Sequence, residues 1–162
     1  MAAIDVWAQI TTERMLKRPW MQTLLRWTGR SESALETVET TLRAMDEGNV
    51  DIALLSAWHG PEGCLISNEE TAQMVAAAPT RFRGLASVDL ERPMEAVREI
   101  RRWVDRRAFV GVRVVPWLWN LPPNDRRYYP IYVAGRRRTA LHPDWSYRAA
   151  PTLRSRPPDS LS

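Results

Sequence analysis

The sequence predicts an α/β fold of about four strand–helix units around a parallel sheet, which is either a small open sheet or an incomplete (β/α)8 TIM barrel. Three observations lead to this prediction. Four apolar segments alternate with amphipathic segments, the chain has 162 residues, and a complete barrel needs about 200 to 250 residues. Strands and helices that alternate at this spacing are typical of a parallel sheet with right-handed crossovers. The chain is therefore long enough for only half of such a barrel.

Four segments have the composition of buried strands. The first is short, and the other three are nearly continuous runs of apolar residues, as expected of strands covered on both faces. The predicted strands are 4–9, 50–58, 83–90 and 109–117. An open ring of such strands leaves two exposed edges, through which copies of the chain could self-associate.

Helical periodicity fills the intervals between the strands. Apolar residues recur every three or four positions, and Ser67 followed by Glu70 is a capping-box signature for the third helix. The predicted helices are 15–27, which Gly29 ends, 33–47, 67–78 and 93–104, and a further helix begins near 129. Segments 59–66 and 118–130 are predicted to be loops, the second because it is rich in proline.

Composition excludes several classes of protein. The content of 44% hydrophobic and 26% charged residues is typical of a soluble globular domain. Cys64 alone cannot form a disulfide framework, and two histidines with one cysteine cannot fill a structural zinc site without carboxylates. No apolar run approaches the roughly 18 residues of a membrane span, and the start MAAIDVWAQ lacks the basic region of a secretory signal. The sequence thus indicates a cytoplasmic protein with no membrane partner.

The net charge of +4 comes from one end of the chain. Residues 1–134 hold 17 of the 23 Lys and Arg and 17 of the 19 Asp and Glu, whereas residues 135–162 hold the other 6 and 2. This basic segment is rich in arginine, proline and serine, and we expect it to be disordered. We predict no nucleic-acid partner for the folded part. Weak electrostatic binding by Arg136 to Arg138 remains an alternative, which deletion of residues 135–162 would test.

Five groups of segments together resemble a known family. They are IDVWAQ, the WTG at 27–29, LLSAWHGPEG with ISNEE, GLASVDL followed by RPMEAVREI, and RVVPWLWNLPPNDRRYYPIY. They resemble amidohydrolase family 2, the branch that includes aminocarboxymuconate-semialdehyde decarboxylase and related metal-dependent hydrolases, over residues 4 to about 134. The resemblance implies a TIM barrel whose active site lies at the carboxyl ends of the strands. It also implies hydrolysis or decarboxylation of small carboxylated or cyclic substrates with a divalent metal such as zinc.

The metal ligands that this resemblance implies are missing from the first strand. A His-x-His sequence at the end of that strand normally supplies two ligands, and the matching positions hold Trp7 and Gln9. Tryptophan cannot bind a metal, and an amide oxygen is a poor zinc ligand. The other family ligands lie on strands 5, 6 and 8, which this chain lacks. We therefore predict no metal site and no cofactor for this chain, although the family uses a metal.

Three side chains at strand ends are candidate catalytic residues. Arg113 shares a strand face with Gly111, so it would point into a barrel and could hold a substrate carboxylate, or it could extend along the edge of an open sheet. Asp89 is either a polar residue at the barrel mouth or a cap near the helix that begins at Pro93. His59 lies after the second strand, where a general acid or base would be well placed, but a lone histidine without an acidic partner is more often a surface residue.

Aromatic residues are concentrated after the second and fourth strands. They would form the wall of a substrate pocket in a complete barrel, or an exposed apolar surface in half of one. The predicted pocket residues are Trp7, Gln9, Trp58, Trp117, Trp119 and Asn120.

The segment after Ala134 is compatible with a second reading frame. LHPDWSYR can be encoded so that a frame shifted by one base gives Cys-Thr-Gln-Ile-Gly-His-Thr, which resembles the family's fifth strand with its metal-binding histidine. RRRT and RPPDSLS can likewise hide Ala-Val-Glu-Leu and Gly-Arg-Pro-Ile-Pro-Tyr-Leu, in the family's order. We expect a frameshift near residue 134.

Two functions remain open from the sequence. The first is a truncated amidohydrolase-type enzyme that recognises a small-molecule substrate when complete and is inactive as this chain. The second is an intact small α/β binding or interaction module with a basic tail. Cooperative unfolding of a monodisperse protein favours the module, whereas molten or aggregated protein favours the truncated enzyme.

Overall fold

One parallel sheet forms the centre of the protein. The computed structural model describes residues 2–29, 35–104 and 108–139. The strands in these ranges are β1 (Ile4–Ala8), β2 (Ile52–Ser56), β3 (Trp58–Gly60), β4 (Gly63–Ile66), β5 (Phe82–Ala86) and β6 (Phe109–Val112). The sheet has the order β1-β2-β5-β6, and all of its pairs are parallel. The predicted incomplete barrel of four strand–helix units is therefore confirmed.

Helices follow each strand of the sheet. They are α1 (Glu13–Leu16), α2 (Pro19–Trp27), α3 (Val38–Glu47), α4 (Asn68–Ala77), α5 (Pro93–Val104), α6 (Pro116–Trp119) and α7 (Tyr129–Thr139). A 3-10 turn, Arg126–Tyr128, leads into α7. In the described ranges, no helix is long and apolar enough to cross a membrane.

Reciprocal caps set the starts of α3 and α4. The Glu70 amide donates to the Ser67 hydroxyl at 3.0 Å, and the Ser67 amide donates to the Glu70 carboxylate at 2.8 Å. Thr37 and Thr40 make the same exchange at 3.2 and 2.9 Å. The prediction of a helix from position 33 was wrong in its start, because this cap begins α3 at Val38. Position 33 itself lies outside the described residues.

The second predicted strand and the loop after it form more structure than the sequence indicated. The strand predicted over 50–58 ends at Ser56. The chain then forms the antiparallel hairpin β3–β4, in which His59 lies opposite Cys64. The prediction of a loop over 59–66 was wrong, since strands of three and four residues are too short to give a clear alternation.

The third and fourth strands are shorter than predicted. β5 ends at Ala86, and β6 ends at Val112. Residues 113–115 continue without strand pairing, and Pro116 opens α6, because proline suits the first position of a helix.

The core lies between the sheet and the helices on its outer face. Ala53 and Leu55 of β2 pack with Met45 of α3 and Val75 of α4. A second cluster joins α5 to α7, and its buried members include Ile100, Tyr128 and Ile131. By alternation along β2, Leu54 and Ser56 project to the opposite, inner face of the sheet.

The described residues end within the basic segment. α7 continues to Thr139, past position 134. The segment predicted to be disordered is 135–162; its residues 135–139 are helical, and residues 140–162 lie outside the described residues.

Candidate functional site

Polar and aromatic side chains meet at the carboxyl ends of the strands, on the inner face of the sheet. Gln9 follows β1, Ser56 ends β2, and Arg113 follows β6. Because the strands are parallel, their carboxyl ends lie at one edge of the sheet, the usual place of a ligand site in this kind of fold. The geometry of the candidate site is built around Arg113.

Arg113 spans the inner face from the last strand to the first. Its guanidinium carbon lies 4.2 Å from the centroid of the Trp7 ring, and its Nη2 donates a hydrogen bond to the carbonyl oxygen of Val6. Its Nη1 is buried without a hydrogen-bond partner among the described residues. Desolvation lowers the pKa of Arg113, while the nearby Asp5 carboxylate partly opposes this shift. The cation is thus partly stripped of water and has one donor available for an anion.

Further buried polar atoms without a partner follow the same strands. In the described ranges, six of the seven such side-chain atoms belong to residues after β1, at or after β2, and after β6. These six are Gln9 Oε1, Thr11 Oγ1, Ser56 Oγ, Trp58 Nε1, His59 Nδ1 and Arg113 Nη1. Buried polar groups are normally hydrogen-bonded, so such a concentration suits a polar ligand or ordered water. The sequence reasoning missed Thr11 and Ser56, although alternation along the second strand could have indicated Ser56.

A layer of tryptophans lies over the carboxyl ends of the strands. Trp20 stacks on Trp58 with ring centroids 6.1 Å apart, and Trp117 packs edge-on against both rings at 5.1 and 6.1 Å. Trp58 is buried in an apolar cluster, whereas Trp117 is 54% exposed. A cavity of about 300 Å³ lies beside Trp20 and Trp117, with Arg18 and Glu62 also in its lining. Two of the predicted aromatic pocket residues are therefore in this layer.

His59 and Asp89 line a different cavity, of about 260 Å³, which Arg113 does not line. The His59 amide donates to the Ser87 hydroxyl at 3.0 Å, and the His59 ring stacks on Trp119 at 6.1 Å. Asp89 accepts a hydrogen bond from the Glu91 amide at 2.8 Å and pairs with Arg92 at 3.7 Å. The structure thus brings His59 and Asp89 to one cavity but does not bring them to Arg113.

Trp119 and Asn120 line neither of the two cavities. Trp119 is 6% exposed and packs in the cluster that joins α5 to α7. Its indole N–H donates to the carbonyl oxygen of His59 at 3.0 Å. Asn120 has a left-handed backbone, with φ of 49°, and ends α6. Trp119 therefore stabilises the hairpin, and Asn120 turns the chain after a helix.

The comparison with protein families decides what kind of chain this is. A family model described as amidohydrolase matches residues 4–139. The chain belongs to the amidohydrolase family. The match confirms the resemblance seen in the sequence and includes every residue of the candidate site.

Two curated relatives are decarboxylases. The chain is 30% identical over 117 residues to a gamma-resorcylate decarboxylase of Polaromonas sp. (strain JS666 / ATCC BAA-500), covering 65% of this chain and 35% of the relative. It is 28% identical over 132 residues to a gamma-resorcylate decarboxylase of Rhodococcus jostii (strain RHA1), covering 66% and 39%. The chain thus spans well under half the length of these relatives.

Solved structures show the same fold over about twice the length. The 5-carboxyvanillate decarboxylase of Sphingomonas paucimobilis matches with a TM-score of 0.60 and 21% identity, over 85% of this chain and 49% of that one. A dihydroxybenzoic acid decarboxylase of Polaromonas sp. JS666, with bound manganese and the inhibitor 2-nitroresorcinol, matches with a TM-score of 0.60 and 22% identity, over 85% and 47%. These likenesses show the fold, which is half of a TIM barrel.

The donor set of this chain does not fit the metal of that relative. Trp7 has no metal-binding atom, and the amide oxygen of Gln9 is a weak ligand. In the part of the chain that the structure describes, no group of three or more His, Cys, Asp or Glu side chains could hold a metal ion. Instead of a metal ion, the guanidinium of Arg113 provides a permanent positive charge at the carboxyl ends of the strands.

Proposed function

We infer that this chain is the substrate-recognition half of a decarboxylase-type or hydrolase-type barrel, and that it binds a small planar carboxylate without transforming it. The observation that supports this most is the buried Nη1 of Arg113, which has no partner among the described residues. The Nη1 group can donate a charge-assisted hydrogen bond to a carboxylate oxygen. Partial burial strengthens such a bond relative to one in water.

The unpartnered polar atoms at the carboxyl ends of the strands suit the substituents of a flat ring. Trp7 stacks on one side of the guanidinium at 4.2 Å, which holds the cation in a fixed orientation. The hydroxyls of Thr11 and Ser56 and the indole N–H of Trp58 are donors without a described partner. Hydroxyl substituents of an aromatic acid are groups that such donors can bind. The relatives named for gamma-resorcylate support the choice of an aromatic acid.

The proposed lack of turnover depends on the residues present. Catalysis in a TIM barrel uses groups from the ends of several strands around the whole ring. The sheet described here has four strands, and the donor set at the end of β1 does not fit a metal. The chain therefore supplies a cation that orients a carboxylate, but no described group at the mouth is placed to act as a metal ligand in the reaction.

Isothermal titration with gamma-resorcylate tests the binding, and resorcinol is the matched ligand because it is the same ring without the carboxylate. We expect binding of gamma-resorcylate and at least tenfold weaker binding of resorcinol. Arg113→Met should abolish the preference, whereas Arg98→Met, on the exposed face of α5, should keep it. Equal affinity for both ligands, or an unchanged preference in Arg113→Met, would overturn the binding role.

A carbon dioxide release assay with added Mn²⁺ tests the lack of turnover separately. We expect no release above the rate without protein. Release that depends on this chain would contradict the second part of the proposal and leave the first part standing.

A further inference from the structure

β1 contains one residue more than the part of β2 with which it pairs. Asp5 lies beside Ala53 and Ala8 lies beside Leu55, so three steps along β1 correspond to two steps along β2. An extra residue of this kind forms a β-bulge, which disrupts the ladder locally and changes the direction in which side chains project. Bulges are frequent beside functional sites. In β1, the bulge lies in the two residues between Asp5 and Ala8.

The bulge decides which face of the sheet carries the ring of Trp7. The residues of β2 beside Asp5 and Ala8 both belong to the cluster on the outer face, and paired residues of neighbouring strands project to the same face. Strict alternation from Asp5 would therefore place Trp7, two positions later, on the outer face as well. Because of the extra residue, the Trp7 ring instead packs against the guanidinium of Arg113, with 4.2 Å between the guanidinium carbon and the ring centroid.

The bulge also provides the second contact of Arg113. Its Nη2 donates a hydrogen bond to the carbonyl oxygen of Val6. Where a bulge disrupts the ladder, a backbone carbonyl is available to a side-chain donor. The guanidinium thus contacts the ring of one bulge residue and the carbonyl of the other. Its Nη1 is left as the buried donor without a partner among the described residues.

Asp5 connects the start of the bulge to its end. Its Oδ1 accepts a hydrogen bond from the Trp7 amide at 2.8 Å. An aspartate side chain that accepts from the amide two residues further along stabilises a local turn of the backbone. Burial lowers the pKa of Arg113, and the Asp5 carboxylate partly opposes that shift. Asp5 can therefore affect Arg113 either through the backbone of the bulge or through its charge.

We propose that Asp5 is a positioning residue for Arg113, because its carboxylate oxygen stabilises the bulge that presents the Trp7 ring and the Val6 carbonyl to the guanidinium. The hydrogen bond to the backbone is the route, and the charge is not, since residues of the bulge make both contacts with Arg113. The inference rests on the proposed function for its ligand, a planar carboxylate, and on the structure alone for its geometry.

Fluorine NMR of the chain labelled with fluorotryptophan tests the positioning without a ligand. Trp7→Phe assigns the Trp7 resonance, and the shift of that resonance in Arg113→Met reports the contact with the guanidinium. We expect this shift in the native chain and in Asp5→Asn, since the amide oxygen of asparagine can accept the same hydrogen bond. Asp5→Ala should lose most of it. Asp51→Ala is the matched control and should keep it, because it removes a carboxylate that accepts from the Ala3 amide at 2.6 Å, outside the bulge.

Titration calorimetry with the same variants tests the effect on binding. Asp5→Ala should raise the dissociation constant of gamma-resorcylate roughly fivefold, as expected for the loss of one hydrogen bond, and should leave that of resorcinol unchanged. It should have no further effect in a chain that already carries Arg113→Met. Asp5→Asn and Asp51→Ala should match the native chain with both ligands. A general loss of folding would weaken the binding of both ligands and would not produce this difference.

The outcomes distinguish this inference from the proposed function. Equal binding of both ligands by the native chain overturns the carboxylate site, while the fluorine shift still decides the role of Asp5. The inference is overturned if the shift is absent from the native chain or is complete in Asp5→Ala. It is also overturned if Asp5→Asn loses as much as Asp5→Ala does, which would show that Asp5 acts through its charge.

Discussion

Arg113 and Trp7 connect the two ends of the sheet, since the guanidinium carbon lies 4.2 Å from the centroid of the indole ring. Arg113 follows the last strand and Trp7 belongs to the first, so this contact crosses the whole inner face. Trp7 occupies a position at which the family resemblance implies a metal-binding histidine, and here its ring packs against the Arg113 cation. Positive charge at the mouth is thus supplied by a side chain, and its orientation depends on an aromatic neighbour.

Arg113→Lys should weaken binding of gamma-resorcylate although it keeps the charge. An ammonium group is a compact point charge, so it cannot stack on Trp7, donate to Val6 and hold a carboxylate at once. We expect a roughly tenfold higher dissociation constant, which corresponds to about 1.4 kcal/mol. Titration calorimetry measures it, and Arg98→Lys is the matched control. Native affinity in Arg113→Lys would show that charge alone is sufficient.

Trp119 should be important for stability, and the more exposed Trp117 should be less so. Trp119 is buried, stacks on His59 and bonds its carbonyl, so Trp119→Ala leaves a cavity and an unpaired acceptor. We expect a loss of about 3 to 5 kcal/mol in the free energy of unfolding. Urea denaturation at one fixed protein concentration measures this loss. A larger effect of Trp117→Ala would mean that the tryptophan layer stabilises the carboxyl-terminal edge of the sheet more than the contact between Trp119 and the hairpin does.

The inner and outer faces of the sheet could be predicted from the sequence because they depend on a simple period of two. The pattern placed Arg113 on the inward face, and the structure shows it over Trp7. The capping box at Ser67 was likewise local, so it needed no tertiary information. Both features depend on residues within a few positions of each other.

Other features depended on contacts between distant segments. The sequence placed His59 in a loop after the second strand, but the hairpin pairs it with Cys64, and its ring stacks on Trp119. Trp119 enters the core at the end of α6, which Pro116 starts. Neither a strand of three residues nor a helix of four residues gives a periodic pattern that a sequence reading can detect.

Loss of the Ser67 cap should destabilise the fold by about 1 kcal/mol. Ser67→Ala removes the acceptor for the Glu70 amide and leaves that donor at the start of α4 unpaired. Thr37→Ala should have a similar effect on α3. Thr80→Ala, at an exposed turn position, is the control and should change the free energy of unfolding by less than about 0.5 kcal/mol. Equal effects at all three positions would contradict the capping role.

The coding DNA should contain family sequence in a second frame beyond about codon 134. The family match ends at residue 139. Of the three segments that can hide family sequence in a second frame, RRRT ends at that position, and LHPDWSYR and RPPDSLS follow it in the family's order. Sequencing of the gene and several hundred bases beyond it is the measurement. Codons that cannot encode the hidden segments one base later would end the frameshift hypothesis.

Gly84→Ala should destabilise the sheet through one specific contact. A Cβ at Gly84 would lie 2.8 to 2.9 Å from ring atoms of Phe109, and that ring is buried against Trp103 at 5.1 Å. Since the ring cannot move away, we expect a loss of about 1 to 3 kcal/mol in the free energy of unfolding, measured by urea denaturation. Gly135→Ala is the matched control, because nothing lies within 4 Å of a Cβ there and alanine favours a helix.

The cause of the Gly84→Ala effect can be isolated with a double-mutant cycle. Phe109→Leu removes the ring that the new methyl group would meet, so Gly84→Ala should cost less in that background than in the native chain. The difference between the two costs measures the clash between β5 and β6 independently of the backbone preference of alanine. If Gly84→Ala costs the same in both backgrounds, the ring is not its cause, and the close pairing of these two strands around Phe109 would have to be revised.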